Sequence, residues 1–574
     1  MAGLPEKILL IAEAAAAGSS FGFLPANFPS TPLGEYRYPS VGPTTGRFAC
    51  GSGGASVQSI SGDNRDAVMD IQFGIETEIG ITRVNPESVD VVAESIALVR
   101  SATAPGVRMR WDYSCEDPHC DARGFRVKEL LQDTDEANYF AQDSQRALTF
   151  SEIKSDLVLR NGARFYNDHA HPEYCAPECS TLLELLQQDY EGDALLMACV
   201  KNLNQNTDNP VLLYKNNTDF RGHSYGCHEN YLMPRRIPWE TLSQAMVAFF
   251  VTRQIVCGAG KFGWEEEDKF TGPGFQISQR ADFFSELQSV DTMQRRPIIN
   301  TRDEPHANNE LWRRFHVIIG DANMSLYSMW LKVGTTSLVL QALLNGCPLD
   351  RVPRVADPIQ TIKTISRDKT WKWLCRDFNG YKTTGLTIQR EYLALVREFC
   401  PKLDPEWAAV VTAWEQVLND LESDPLSCAD RLDWCAKFKM IEEFRKAEKL
   451  SSDDPWLRSL DLTYHLLNKE EGLYYALWDQ NTFRLPFPKL DITSHSLCPP
   501  STTRAAVRGR CIEKFGSSVQ ATQWDYILVK GAQKKIELDL RNLFDPALIK
   551  QSLKIIAAAK TVEDLAELQF AKIV

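Results

Sequence analysis

The residues best suited to chemistry lie between Arg160 and Cys179, where the chain reads RNGARFYNDHAHPEYCAPEC. Its first half reads as a short strand, and strand side chains alternate faces. Arg164, Tyr166 and Asp168 therefore share one face, a cation, a phenol and a carboxylate in a row. Pro172 is expected to break the strand, with Glu173 and Glu178 following in the next turn. Unlike polar groups in a row are poor core material, because buried polar atoms need partners. Such a face fits a solvated edge strand, or a site that holds anionic oxygen beside a divalent cation.

A second segment, IQFGIETEIGIT (71–82), alternates with period two. Ile71, Phe73, Ile75, Ile79 and Ile81 form an apolar face interrupted by Thr77, while Gly74, Glu76, Glu78 and Gly80 form the other. Adjacent carboxylates repel unless solvated or neutralised, and Mg²⁺ with its preference for hard oxygen ligands would neutralise them. A surface strand wearing two glutamates would read the same way. Two polar tracts around histidines tip the balance. YKNNTDFRGHSYGCHENY (214–231) holds Asn216, Asn217, Asp219, His223, His228, Glu229 and Asn230, and RRPIINTRDEPHANNE (295–310) holds Asn300, Arg302 and His306. Seven of the nine histidines (119, 169, 171, 223, 228, 306 and 316) fall between 119 and 316. This combination suggests a phosphate-and-metal site assembled from several strands.

GIETEIG, RWDY…DARGF, NGARFYNDHAHPEY, YKNN…SYGCHENYL, SQRADF, IINTRDEPHA and HVIIGDAN follow one another from about Ile71. With PPSTTRAAVRGRCIEKFG (499–516) and TQWDYI (522–527), they resemble the Pup deamidase/depupylase family (Dop). Its sister family is the Pup ligases (PafA), and both are relatives of glutamine synthetase and the γ-glutamyl-cysteine ligases. RWDYSCEDPHCDARGF and the polar stretch after it to about Lys154 resemble an insertion found in Dop and absent from the ligase. DHAHPEY is also closer to Dop, whereas GIETEIG looks more ligase-like and Cys227 stands where Dop commonly has serine.

The resemblance implies an amidohydrolase acting on the disordered modifier Pup, either on its C-terminal glutamine or on its isopeptide bond to lysine. Glu76, Tyr166 and Glu173 would hold Mg²⁺, with Glu78, His228 and His306 completing a metal and phosphate cluster. Arg164 and Arg302 would contact phosphates of ATP, or of ADP plus phosphate, and Trp524 the nucleotide. Asp168 would be the catalytic carboxylate, as nucleophile or as base for a water. Two other functions stay open: a Pup–protein ligase that consumes ATP, and a non-catalytic Pup-binding protein. The third is weakened by the presence of Asp168 and the metal glutamates.

The elements that must position these residues read as α+β. Helical apolar spacing runs through 181–204, 240–257, 322–346, 387–400, 405–422 and 432–449, with strands around 209–216, 297–302 and 315–320. Their irregular order argues against a repeating strand–helix alternation. The resemblance implies a glutamine-synthetase-like curved, largely antiparallel sheet forming a cradle backed by helices, over 69–496. It also implies a small C-terminal domain over 497–574, which is expected to end in a helix at 561–572. The insertion at about 110–156 is expected to be a mobile loop that regulates phosphate access or activation.

Residues 1–68, rich in Ala, Gly, Ser and Pro, bear no likeness to the family and read as a flexible extension, with Met69 an alternative start. A chain of 574 residues with 44% hydrophobic content can bury a sizeable core in two or more units. A formal net charge of −13 argues against nucleic acid as partner. Local basic clusters at Arg235-Arg236, Arg295-Arg296 and Arg504-Arg508-Arg510 could attract an acidic protein such as Pup. No apolar run is long enough for a membrane span. Fifteen scattered cysteines, without paired CXXC spacing, point to reduced thiols in the cytoplasm rather than to a disulfide framework or structural zinc.

Overall fold

The computed structural model describes residues 69–574 apart from 70, 87–88, 131–145, 266–273, 292–295, 479–482 and 488–496. The expected extension over 1–68, and the middle of the insertion, lie outside the described residues. The fold is mixed α/β around one nine-stranded sheet. Its strands are β1 (Phe73–Glu78), β2 (Gly106–Arg108), β3 (Leu157–Leu159), β4 (Arg164–Asp168), β5 (His171–Cys175), β6 (Cys227–Pro234), β7 (Phe284–Ser289), β8 (Arg296–Asn300) and β9 (Trp312–Val317). They lie side by side in the order β7-β8-β9-β6-β1-β5-β4-β3-β2. Only the edge pair β7/β8 is parallel; the other neighbours run antiparallel.

One face of this sheet is apolar and lies against helices. Phe73 and Ile75 of β1 are buried, and the Phe73 ring meets Trp407 edge-on at 6.2 Å. The helices are Leu182–Leu203, Trp239–Cys257, Leu326–Leu344, Gly385–Phe399, Pro405–Ser423 and Asp433–Ala447, close to the spans the apolar spacing predicts. Four begin on side-chain caps, Thr181, Ser325, Thr384 and Asp404, which accept otherwise unpaired N–H groups of the first turn. Leu326–Leu344 is buried nearly all round, as a sequence apolar on every side requires. Each fully buried Leu, Val or Phe here contributes roughly 1.5–3 kcal/mol of transfer free energy.

The C-terminal residues build a separate four-stranded sheet, Val519–Thr522, Tyr526–Lys530, Lys535–Asp539 and Ala571–Ile573. Its core, with Ile527, Val529, Ile536 and Leu538, extends to Val107, Trp111 and Val158 at the far edge of the large sheet. The helix expected at 561–572 is a short 3₁₀ turn, Glu563–Glu567, followed by the strand Ala571–Ile573. Pairing of Lys572 with Glu537 extends that sheet, and tertiary pairing overrides the local helical spacing.

One further expectation changes. Pro172 does not break the strand: the chain reverses at His169 and Ala170, with His169 at φ 53°, and Pro172 lies near the start of the returning strand β5. Proline, which has no N–H to donate, is tolerated near a strand's start, and its carbonyl accepts from Ile79 N–H at 3.0 Å. The described parts of the insertion are anchored. Arg110 and Asp112 exchange backbone hydrogen bonds with Thr522, and a short helix, Phe150–Lys154, is closed by a Thr149/Glu152 capping box.

Candidate active site

Strand register alone gathers the polar residues on the face away from the helices, because directly paired residues share a face. Asn300 pairs with His316, His316 with Asn230, and Asn230 with Gly74. The next row is His228, Glu76, Cys175 and Arg164, then Glu78, Glu173 and Tyr166, then His171 and Asp168. The period-two pattern of 71–82 thus does what alternation predicts, with Glu76 and Glu78 opposite the apolar face.

Two groups of ligand-type atoms form within these rows. One oxygen or nitrogen from each of Glu76, His228 and His316 lie within 4.8 Å of one another, and so do oxygens of Glu78, Asp168 and Glu173. His228 Nδ1 is 3.5 Å from Glu76 Oε2, and Asn230 donates to Glu76 Oε1 at 3.0 Å. Burial would raise the Glu76 carboxyl, but the hydrogen bond from His228 and the charges of His316 and Arg314 outweigh it and hold it far below the usual range. At Gly226 a Cβ would lie 2.2 Å from His228 Nε2, so a larger residue would displace that imidazole, and the Gly226 N–H donates to Glu78 Oε2 at 2.8 Å.

The three-carboxylate group is electrostatically frustrated. Burial, then the charges of Asp168, Glu76 and Glu78, push the Glu173 carboxyl well above the usual range. Asp168 is the exception. Burial works against its ionisation, yet Lys154 and His169 keep it well below the usual range. Lys154 Nζ donates to Asp168 Oδ1 at 2.8 Å, and His169 Nδ1 lies 3.2 Å from Oδ2. Crowded oxygens suit a hard divalent cation, which would relieve their repulsion. Neither ring nitrogen of buried His316 has a hydrogen-bond partner, a second sign of a face built for a ligand.

The remaining expected residues surround these groups. Burial first, then Arg314, Arg504 and Arg164, push His306 down to about 3, so it is neutral in a cationic setting. Arg314 Nε and Arg504 Nη1 are buried without partners, which suits an anionic ligand. Arg164 ion-pairs with Asp156 at 2.7 Å and packs over Trp111 and Tyr166 at 4.1 and 3.7 Å. Trp524 meets Trp111 edge-on at 5.3 Å, and Arg302 Nε donates to the Val290 carbonyl at 3.0 Å. Burial and the charges of Asp168 and Glu173 raise the Tyr166 phenol, which stays protonated.

Some assignments by segment do not hold. Glu229 belongs to the helix face, where it pairs with Arg253. Arg508 is buried on Glu178 rather than offered to a partner, Arg504 meets the same carboxylate through Nε alone, and Arg235 pairs with Asp303 at 2.6 Å. His316, Arg314 and Lys154 were not singled out from the sequence. Alternation in WRRFHV carries a signal for the first two, since Arg314 and His316 share a face; nothing local marks Lys154.

The Pup-ligase protein family profile matches residues 72–528. The chain is 39% identical over 470 residues to the depupylase of Acidothermus cellulolyticus, covering 79% of this chain and 90% of that protein. It is 37% identical over 469 residues to the Pup deamidase/depupylase of Mycolicibacterium smegmatis, covering 79% and 91%. To the Pup–protein ligase of Nocardioides sp. it is 40% identical over 370 residues, covering 63% of this chain and 81% of the ligase. Its structure resembles PafA in complex with Pup, with a TM-score of 0.68 and 29% identity over 86% of this chain and 92% of that one. PafA in complex with ADP gives 0.63 and 31%, over 76% and 97%. With a profile that spans most of its length and depupylase relatives over more than two thirds of it, this chain belongs to the Pup-ligase protein family.

Proposed function

We propose that the chain is an amidohydrolase of the modifier Pup, converting a C-terminal glutamine of Pup to glutamate and cleaving the isopeptide bond between Pup and lysine. The observation that carries hydrolysis over ligation is the reach of the alignments: depupylase relatives match 79% of the chain, the ligase 63%. Its partners are Pup and pupylated proteins. The architecture we assign is a glutamine-synthetase-like cradle over 69–496 with a small C-terminal domain over 497–574. The reaction belongs in the cytoplasm, where free thiols such as the described cysteines persist. Among the described residues no helix is long and apolar enough to cross a membrane.

Asp168 attacks the side-chain carbonyl, expelling ammonia or the lysine amine and leaving an anhydride that water then hydrolyses, or it takes a proton from a water that attacks in its place and expels the same group. Either role needs an ionised carboxylate, which Lys154 and His169 favour. Glu76, Glu78, Tyr166, Glu173, His228 and His306 would hold Mg²⁺ and phosphate, with Arg164, Arg302 and Trp524 toward the nucleotide. The crowded carboxylates and the cationic surroundings of His306 support this assignment. When bound, Mg²⁺ would supply positive charge that stabilises a developing oxyanion. ADP in the PafA neighbour supports a nucleotide site. Because amide hydrolysis is downhill, ATP acts as a structural cofactor rather than a fuel.

The test is an incubation of the protein with Mg²⁺, ATP, Pup ending in glutamine and a Pup-conjugated model protein, read by mass spectrometry with ADP followed in parallel. Conversion of glutamine to glutamate and release of the model protein, without matching ADP, supports the reading. Conjugation of Pup-glutamate with one ADP per bond would make the chain a ligase instead.

A further inference from the structure

Among the described residues, Lys154 is the one side chain beside Asp168 that comes from the insertion. Its ammonium lies 2.8 Å from Asp168 Oδ1, and it passes the Tyr166 ring at 5.4 Å and the Phe150 ring at 6.0 Å. The arm that carries it is held on both sides. Arg100 donates to Ser155 Oγ and to the Glu152 carbonyl, at 3.1 and 2.8 Å. Ser155 turns through φ 51°, and Asp156 is buried against Arg164 and the Tyr113 hydroxyl. A lysine tethered in this way is presented to the carboxylate rather than reaching it by chance.

The proposed reaction gives that position a meaning. In isopeptide cleavage the carbonyl carbon gains an oxygen and its bond to the lysine nitrogen breaks. Water supplies the oxygen and the protons, so the lysine leaves as an amine. The departing nitrogen is bonded to the carbon under attack, so it lies within about 3 Å of the attacking oxygen. Lys154 places its own nitrogen, on the same four-carbon stem, in that shell. The two stems cannot share it, because both need the same space. A Pup glutamine releases ammonia and brings no stem.

Resting on the amidohydrolase reading, we infer that Lys154 occupies the place of the substrate lysine's leaving amine in the resting protein. It thereby sets the balance between isopeptide cleavage and deamidation. The arm Phe150–Ser155 must shift for a conjugated lysine and need shift far less for Pup-glutamine.

The experiment compares kcat/KM for Pup-glutamine and for a Pup-conjugated model protein in wild type, Lys154→Ala and Lys154→Arg, with Mg²⁺ and ATP present. The ratio of isopeptide cleavage to deamidation is internal to each preparation, so loss of folded protein cancels. We expect Lys154→Ala to raise that ratio about threefold or more, and Lys154→Arg to keep it near wild type. An unchanged ratio, or an equal fall in both reactions, would overturn the inference, the second outcome making Lys154 a positioning residue for Asp168. Wild-type protein that acts on neither substrate would overturn the amidohydrolase reading and the inference with it.

Discussion

Strand β6 carries buried charge on both faces, and the two faces treat it in opposite ways. Toward the helices, Glu229 is 0% exposed and Arg253 2%, and both carboxylate oxygens accept hydrogen bonds. Arg253 Nη1 donates to Glu229 Oε2 at 2.8 Å, its Nη2 to Oε1, and the Tyr231 hydroxyl to Oε2 at 2.6 Å. Even Gly320 is shaped to this pair, since a Cβ there would lie 2.7 Å from Glu229 Oε1. One residue away, on the other face, His228 joins Glu76 and His316, whose ring nitrogens have no hydrogen bond, beside three carboxylates that repel one another. Burial alone therefore does not mark a site. A buried charge with its partners is architecture, whereas unsatisfied groups gathered on one face beside crowded carboxylates suit a ligand.

The comparison can be broken first at its chemical end. Asp168→Asn should lower turnover on the order of a thousandfold or more while nucleotide binding and the unfolding midpoint stay near wild type. Wild-type-like activity in steady-state assays of that variant would remove Asp168 from the mechanism. On the helix side the loss should be one of stability. Arg253→Ala leaves Glu229 buried and unpaired and should cost about 3–5 kcal/mol in urea unfolding, with the folded fraction still active.

Glu178 sharpens the contrast, because it is a satisfied pair that joins the large sheet to the C-terminal helix Arg504–Phe515. Burial opposes its charge, but Arg508 and Arg504 hold its carboxyl at about 2 against an ordinary 4.5. A lowered carboxyl stabilises the fold above its unfolded value, and that contribution is lost as pH falls from about 4.5 toward about 2. It amounts to about 3 kcal/mol, and Glu178→Gln should flatten the pH dependence of unfolding over that window. The smallest effect has the opposite sign. Glu173→Gln removes a carboxyl that its neighbours push up, and should stabilise the Mg²⁺-free protein at neutral pH by about 1 kcal/mol while weakening its response to Mg²⁺. A thermal melt with and without the ion checks both halves.

Much of this was legible in the sequence where the pattern is local. Alternation in 71–82 put Glu76 and Glu78 on one face, and apolar spacing placed the six long helices within a few residues. What was not legible depends on partners distant in the chain. Nothing around Arg504 or Arg508 says that Glu178 will bury them, and nothing in HEN says that Glu229 faces away from His228 to meet Arg253 until a strand is assumed there. The two-residue reversal at His169 and Ala170 was hidden because Pro172 is the stronger local signal. Lys154 reaches Asp168 only through the tertiary placement of a five-residue helix.

The most direct test of the contrast between the two faces is a calorimetric titration of Mg²⁺ with ADP into wild type, Glu173→Gln and Glu229→Gln. The account predicts that binding weakens at least about tenfold in Glu173→Gln and stays within about twofold of wild type in folded Glu229→Gln. Full binding by Glu173→Gln, or its loss in Glu229→Gln alone, would contradict the assignment of the unpartnered face as the active site.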